Sequence, residues 1–417
     1  MRLSLTGINH NTAPIALREK AAAGSEQLPA YLQALSAFVP HGVVLSTCNR
    51  TEIYTADAGG DDAETGCLEF LKARLGIDGD ELCRHLYVRR DREVAGHLFR
   101  VACGLESMII GEHEVLGQVG QSLAVAEKRG MVNLPLLHLF QSAVRAGRQV
   151  RRETGISRNA LSISSVAIDL AAKKVGRLDA CRLLVIGAGE AGALAARVAR
   201  ERGVKQIVIA SRTRERASAL ASELDGTPVD LSELPARISE ADIVVTCAGA
   251  PHRLVSPAQI ETAMKGRAGR PLVIIDIALP RNVTPEVGRL DSVFLYNIDD
   301  LTGVSSLNRR QRAEAVHLVE EIIGREVEKF VAWQHDYELR PVLGALMSKA
   351  ESIRHAQLEK TLKKLPPLSD EQRENLEAMT KSIVTRILKD PVEYLKNHSN
   401  SGHPEMVSEL FRLNTRK

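Results

Sequence analysis

Aromatic residues make up only 3% of this 417-residue chain. Stacking of bases on an aromatic platform is therefore not expected as a main binding mode. Six cysteines stand at positions 48, 67, 83, 103, 181 and 247, and none forms a CxxC pair. That spacing argues against a zinc site, so no metal is expected. The opening Met1-Arg2-Leu3-Ser4-Leu5 has no signal-peptide core, and no apolar run is long enough to span a bilayer. The expectation is a reduced, cytoplasmic protein with no membrane partner. Strong charge of one sign is lacking too: the formal net charge is +3, which neither requires nor excludes a nucleic-acid partner.

Hydrophobic residues are 44% and charged residues 26% of the chain, as in ordinary globular proteins. Its length exceeds one ordinary core and implies two or three domains. Residues 3–8 and 43–45 read as strands, and residues 15–23 and 28–37 as helices. From about Arg92 helical periodicity takes over. Residues 136–153 read as one helix carrying Arg145, Arg148 and Arg152 on one face. After a further helix at 161–175, strands at 182–186, 206–210, 243–246 and 272–277 alternate with helical segments. That alternation indicates a parallel, doubly wound α/β sheet. A charged amphipathic stretch follows at 307–337, weakened at Gly324 and interrupted at Pro341. The remaining helical tail breaks at Pro366-Pro367 and near Pro391, and its apolar stripes suggest packing against a copy of itself. The domains expected are 1–155, 156–300 and 301–417.

Two segments carry chemistry. In Val43-Val44-Leu45-Ser46-Thr47-Cys48-Asn49-Arg50, a thiol sits at the end of an apolar strand. Arg50 could supply a cation that favours the thiolate, or grip an anionic substrate. The alternative is a buried structural cysteine. The second segment, Gly187-Ala188-Gly189-Glu190-Ala191-Gly192, follows a strand and opens a helix, the context of a dinucleotide-phosphate turn. The next strand ends in Ser211-Arg212 rather than the acid that would bind a ribose 2′-hydroxyl. Hydroxyl and guanidinium suit a 2′-phosphate, so NADP(H) is favoured over NAD(H). His97 alone reads as a hydrogen-bonded core histidine. The Arg145/Arg148/Arg152 face, Arg158 and the segment Asn308-Arg309-Arg310-Gln311-Arg312 are candidate phosphate contacts or solvated charges.

Taken with residues 46–54, the segment Gly104-Leu105-Glu106-Ser107-Met108-Ile109-Ile110-Gly111-Glu112-His113-Glu114-Val115-Leu116-Gly117-Gln118-Val119 resembles glutamyl-tRNA reductase. Gly7-Ile8-Asn9-His10-Asn11-Thr12-Ala13-Pro14 resembles that family's opening. Ile275-Asp276-Ile277-Ala278-Leu279-Pro280-Arg281 and Leu295-Tyr296-Asn297-Ile298-Asp299-Asp300-Leu301 resemble the end of its cofactor domain. The resemblance implies an N-terminal α+β catalytic domain, a Rossmann-type NADP-binding domain, a long linking helix and an all-α dimerisation domain. It implies NADPH-dependent reduction of glutamyl-tRNA(Glu) to glutamate-1-semialdehyde, the first step of tetrapyrrole synthesis from glutamate.

In that reading Cys48 is the nucleophile that forms a thioester, Arg50 pairs with the substrate side-chain carboxylate, and His97 is catalytic. Thr47, Asn49, Ser107, Glu112, His113, Glu114 and Gln118 fall on substrate-binding positions. Gly187, Ala188, Gly189, Glu190, Ala191, Gly192, Ser211 and Arg212 bind the cofactor. A homodimer through the C-terminal helices and a hand-over to glutamate-1-semialdehyde aminomutase are implied as partnerships. Two rivals stand beside it. A small-molecule NADP oxidoreductase resembling shikimate dehydrogenase would turn over without RNA and without need of Cys48. A non-catalytic tRNA-binding regulator would bind tRNA with no covalent intermediate.

Overall fold

The computed structural model describes residues 2–57, 62–112, 114–154, 156, 162–250, 252–267, 269–304, 313–397 and 403–413. His113, Arg158 and the segment 308–312 lie outside the described residues. The chain forms two compact units, Arg2–Val327 and Glu328–Lys417.

The first unit opens with a four-stranded antiparallel sheet. Its strands are β1 (Arg2–Asn9), β2 (Val43–Ser46), β3 (Arg50–Asp57) and β4 (Tyr87–Arg90), in the order β2-β3-β1-β4. Leu3, Leu5, Val43, Val44, Leu45, Ile53 and Tyr54 are fully buried. Helices cover the sheet, among them Arg92–Ala102, whose core face carries Val94, Leu98 and Val101. The helix Leu134–Glu153 starts two residues before the sequence expectation, because Asn133 caps it by accepting the Leu136 N–H at 3.2 Å.

The second sheet is fully parallel. It comprises β5 (Arg182–Ile186), β6 (Gln206–Ala210), β7 (Thr227–Val229), β8 (Ile243–Thr246), β9 (Leu272–Asp276) and β10 (Val293–Asn297), in the order β10-β9-β8-β5-β6-β7. Such strands are buried on both faces and read as continuous apolar runs. Val244, Val245, Ile274 and Ile275 show why: alternate residues enter two different cores, one on each face. Burial contributes about 1.5–3 kcal/mol for each such side chain. The chain runs outward from β5 through β6 to β7, then returns to place β8 on the other side of β5. This reversal opens a crevice at the carboxyl ends of β5 and β8, where ligands of such sheets bind.

One core of this sheet also takes in Met108 and Ile109 from the segment 104–119, with Ile15 and Cys48 packed against it. The thiol and the cofactor sheet therefore share packing.

The helix Ala313–Leu362 corrects an expectation, because Pro341 lies inside it rather than ending it. An interior proline costs about 3 kcal/mol or more, but Leu339, Val342 and Leu346 beside it are buried and hold the segment in line. Pro391 likewise lies inside the helix Asp370–Asn397, between the buried Leu388 and Leu395. The break at Pro366-Pro367 is real: no helix spans residues 363–369. Met379, Ile383, Ile387 and Tyr394 stay exposed along Asp370–Asn397, forming an apolar stripe within the second unit.

Candidate active site

Cys48 lies in the tight turn joining β2 to β3. Thr47 N–H donates to the Arg50 carbonyl at 2.8 Å, and Asn49 N–H to Thr47 Oγ1 at 3.1 Å. The turn is short because Ser46 and Thr51 are paired across the hairpin. Burial, reinforced by the Glu112 and Glu114 carboxylates, pushes the thiol well above the usual cysteine range. At rest the Cys48 side chain is a neutral thiol.

The cation acting on it is not Arg50. Arg18 lowers the thiol pKa, though burial outweighs it, and Arg18 Nη1 donates to the Cys48 carbonyl at 3.0 Å. Arg50 points instead at Glu52. Its Nη1 lies 2.9 Å from Glu52 Oε1, and its Nη2 donates to the Glu106 carbonyl. Glu52 is wholly buried and collects further donors: His97 Nε2 at 2.8 Å, Tyr54 OH at 2.6 Å and the Tyr87 hydroxyl. Burial alone would raise its pKa. The electrostatic pull of His97 and Arg50 and these hydrogen bonds win, and hold the carboxyl well below the usual range. His97 thus touches Glu52, and through Glu52 it is tied to Arg50. Arg50, Glu52 and Tyr54 share one face of β3 by its period of two, a signal present in the sequence.

The segment 104–112 folds back on itself, closed by Gly111 N–H to the Gly104 carbonyl at 3.1 Å. It delivers Ser107 and Glu112, both buried, with Ser107 acting to lower the Glu112 pKa. Burial first, then the Glu114 charge, raises Glu112 to about 7. Glu114 and Gln118 follow on the helix Glu114–Lys128, one turn apart on one face. Burial and the charge of Glu190 raise Glu114 as well. Two buried polar atoms have no partner here: Asn49 Oδ1 and His10 Nδ1. His10 backbone N–H binds the Asn49 carbonyl at 2.9 Å. Burial, with Arg50 and Arg18 nearby, lowers its imidazole to about 4, so it is neutral.

The dinucleotide turn fits its group. Gly187 has φ +117°, and a Cβ there would meet the Ala248 backbone nitrogen at 2.9 Å. A Cβ on Gly192 would lie 2.0 Å from the Gly187 carbonyl oxygen, so only glycine lets the helix Glu190–Glu201 start this close to the strand end. Gly189 caps that helix with no side chain, leaving its first N–H groups open to phosphate. Ala188 and Ala191 pack on the sheet core. At the end of β6, Ser211 Oγ accepts the Thr213 N–H at 3.2 Å. Arg212 is largely exposed and, among the described residues, its only ion pair is a 3.7 Å contact with exposed Glu26. No acid stands there, in keeping with a 2′-phosphate. Glu190 on the turn acts electrostatically on Glu112 and Glu114, and Glu114 acts on Cys247 at the end of β8. The cofactor turn thus faces the carboxylates that surround the thiol.

A half-buried thiol on a hairpin turn, packed against the core of a parallel sheet that carries a dinucleotide turn, fits the class of nicotinamide-dependent oxidoreductases. Comparison with known proteins narrows the class. The profile described as "Glutamyl-tRNAGlu reductase, N-terminal domain" matches residues 6–154, "Shikimate / quinate 5-dehydrogenase" matches 169–304, and "Glutamyl-tRNAGlu reductase, dimerisation domain" matches 318–413. Glutamyl-tRNA reductase of Natranaerobius thermophilus is 40% identical, covering 99% of this chain and 92% of its own. That of Syntrophotalea carbinolica is 38% identical, covering 99% and 95%. The solved glutamyl-tRNA reductase from Methanopyrus kandleri is 31% identical, covers 98% of both chains and superposes with a TM-score of 0.53. The chain belongs to the glutamyl-tRNA reductase family. It has the family's three-domain architecture, is an NADPH-dependent oxidoreductase of the first step of tetrapyrrole biosynthesis, takes tRNA as substrate and forms a dimer.

Proposed function

We propose that Cys48 carries the glutamyl group of glutamyl-tRNA(Glu) as a thioester on the way to glutamate-1-semialdehyde. The observation that carries this reading is the position of the thiol: on a hydrogen-bonded turn, half-buried against the core of the cofactor sheet, and under the influence of the Glu112 and Glu114 carboxylates. The Cys48 sulfur attacks the ester carbonyl, the bond to the tRNA 3′ oxygen breaks, and the thiol proton must leave. Glu112, raised to about 7, is suited to take it near neutral pH. NADPH, when bound at residues 187–192 with Ser211 and Arg212, supplies hydride.

Arg50 meets the substrate carboxylate from a frame fixed by Glu52, and the same frame orients His97. Asn49 Oδ1 is a ready acceptor for the substrate ammonium group, with Thr47, Ser107, Glu114 and Gln118 around it. Arg148 is exposed and, with Arg151, lines a cleft of about 390 Å³ against Gly117 and Gly120, which suits a tRNA phosphate. Arg151 itself binds the Ala102 and Glu112 carbonyls and steadies the pocket wall. Arg145 is exposed and bonded to Ser142, and Arg152 pairs with Glu153.

Domains at 1–155, 156–300 and 301–417 agree with this division of labour. A cytoplasmic enzyme with reduced thiols agrees with six unpaired cysteines and with the lack, among the described residues, of a helix long and apolar enough to cross a membrane. A reactive aldehyde product favours hand-over to glutamate-1-semialdehyde aminomutase. The test is incubation with labelled glutamyl-tRNA without NADPH, followed by peptide mapping. Label on Cys48 is expected. Its absence in active protein, or full reductase activity in Cys48→Ser, refutes the thioester.

A further inference from the structure

The helix Ile15–Ala21, which brings Arg18 to Cys48, also meets the segments around Arg281 and Asp299, which have no part in the chemistry above. Arg18 is 1% exposed. Its Nε donates to the Ala13 carbonyl at 3.2 Å, its Nη1 to the Cys48 carbonyl at 3.0 Å, and its Nη2 to Asp299, 281 residues away. The next residue, Glu19, faces the cofactor domain. Its Oε1 accepts the Arg281 backbone N–H at 2.6 Å, Arg281 Nε at 2.8 Å and Arg253 Nη1 at 3.1 Å. Its Oε2 accepts Arg281 Nη2 at 2.9 Å and Arg253 Nη2 at 3.2 Å. Glu19 and Arg281 are mostly covered, at 10% and 15% side-chain exposure.

An exposed ion pair contributes little. Two arginines gripping one sheltered carboxylate with both ends are a different case. Burial alone would raise the Glu19 carboxyl, but the bonds from Arg281 and Arg253 overcome this and hold it at about 2.

We propose that Glu19, Arg281 and Arg253, with Arg18 and Asp299 beside them, form a latch that docks the cofactor domain over Cys48. The latch decides whether the glutamyl thioester is reduced or hydrolysed. This rests on the thioester reading. In reduction, hydride from NADPH adds to the thioester carbonyl carbon, the C–S bond breaks, the sulfur regains a proton and the aldehyde leaves. In hydrolysis, water adds to the same carbon, the C–S bond breaks, and free glutamate and the thiol result. Docking packs the cofactor sheet against Cys48, leaves it half-buried, and favours the first outcome by restricting water. Undocking exposes the sulfur and favours the second. Glu19 and Arg281 are positioning residues, since neither touches the reacting atoms.

The full-length protein tests this through Glu19→Gln, Arg281→Gln and the double variant. One readout is the ratio of glutamate to semialdehyde formed from glutamyl-tRNA with NADPH. The other needs no cofactor: the rate at which iodoacetamide alkylates Cys48, read by mass spectrometry of its peptide. Each single variant should raise both by about tenfold, the loss expected from charge-assisted hydrogen bonds, and the double variant should add little beyond either. Glu19→Asp, which keeps the charge that both arginines bind, should recover most of the wild-type ratio and keeps the test open if a neutral variant folds poorly. An unchanged ratio and alkylation rate, with label still captured on Cys48, overturns the latch alone. Failure to capture label in the wild type overturns the thioester instead.

Discussion

Glu52→Gln is the sharpest perturbation the site offers, because one neutral atom replaces a charge on which the Arg50, His97, Tyr54 and Tyr87 side chains converge. Arg50 is 2% exposed. Without the carboxylate its charge stays buried with only neutral acceptors, and breaking one partner of such a pair costs about 3–5 kcal/mol. The glutamine amide adds to the cost by turning an N–H group toward hydroxyl and ring donors. The loss should concentrate in β3 and its neighbours β1 and β4. Native-state hydrogen exchange of the β3 amides is the suitable assay, since it reads local opening rather than a multidomain average.

Removing both partners in Glu52→Gln/Arg50→Met should return most of the lost protection, because no unpaired charge remains. The pH dependence has a definite sign. The folded carboxyl lies below its ordinary 4.5, so its contribution is present above that pH and disappears only in stronger acid. A single variant that loses less than about 1 kcal/mol, or a double variant that loses the sum of both, would refute the frame.

Two further predictions concern the chemistry. Single-turnover thioester formation should rise as pH passes through about 7, the value to which burial and then Glu114 raise Glu112, and Glu112→Gln should remove that limb from the profile. The same shift makes protonated Glu112 stabilising below pH 4.5, an effect lost as pH rises through about 7, which urea titrations across that window will register. Gly192→Ala places a Cβ 2.0 Å from the Gly187 carbonyl. Overpacking of about 1–3 kcal/mol should raise the KM for NADPH tenfold or more while thioester formation without NADPH proceeds.

The cofactor crevice was legible because its determinants are local: three glycines at fixed offsets between a strand and a helix. Strands β5, β6 and β8 fall at the positions the apolar runs predict. The surroundings of Cys48 were less legible. Strand β3 went unassigned, and with it the hairpin that holds the thiol. The Glu52 partners come from β3, β4 and the helix Arg92–Ala102, so no spacing along the chain reveals more than the Arg50–Glu52–Tyr54 face. Arg18 and Asp299 lie farther apart still. Sequence adjacency leaves Arg50 open as thiol cation or substrate grip; its guanidinium turns to Glu52, because a side chain on a strand points where the sheet directs it. The prolines at 341 and 391 mislead for the opposite reason: a local rule is overruled by long-range packing of Leu339, Leu346 and Leu395.

The exposed stripe Met379–Ile383–Ile387–Tyr394 lies in the segment that matches a dimerisation domain, and pairing there would tie the protein to its own abundance. A fold that leaves such a surface for a second copy is stabilised by mass action, so its melting temperature depends on concentration. Dilution acts on the helical unit as a destabilising mutation would. A substitution on the stripe, in a different unit from the thiol and the cofactor crevice, then changes how much intact enzyme a given amount of chain yields.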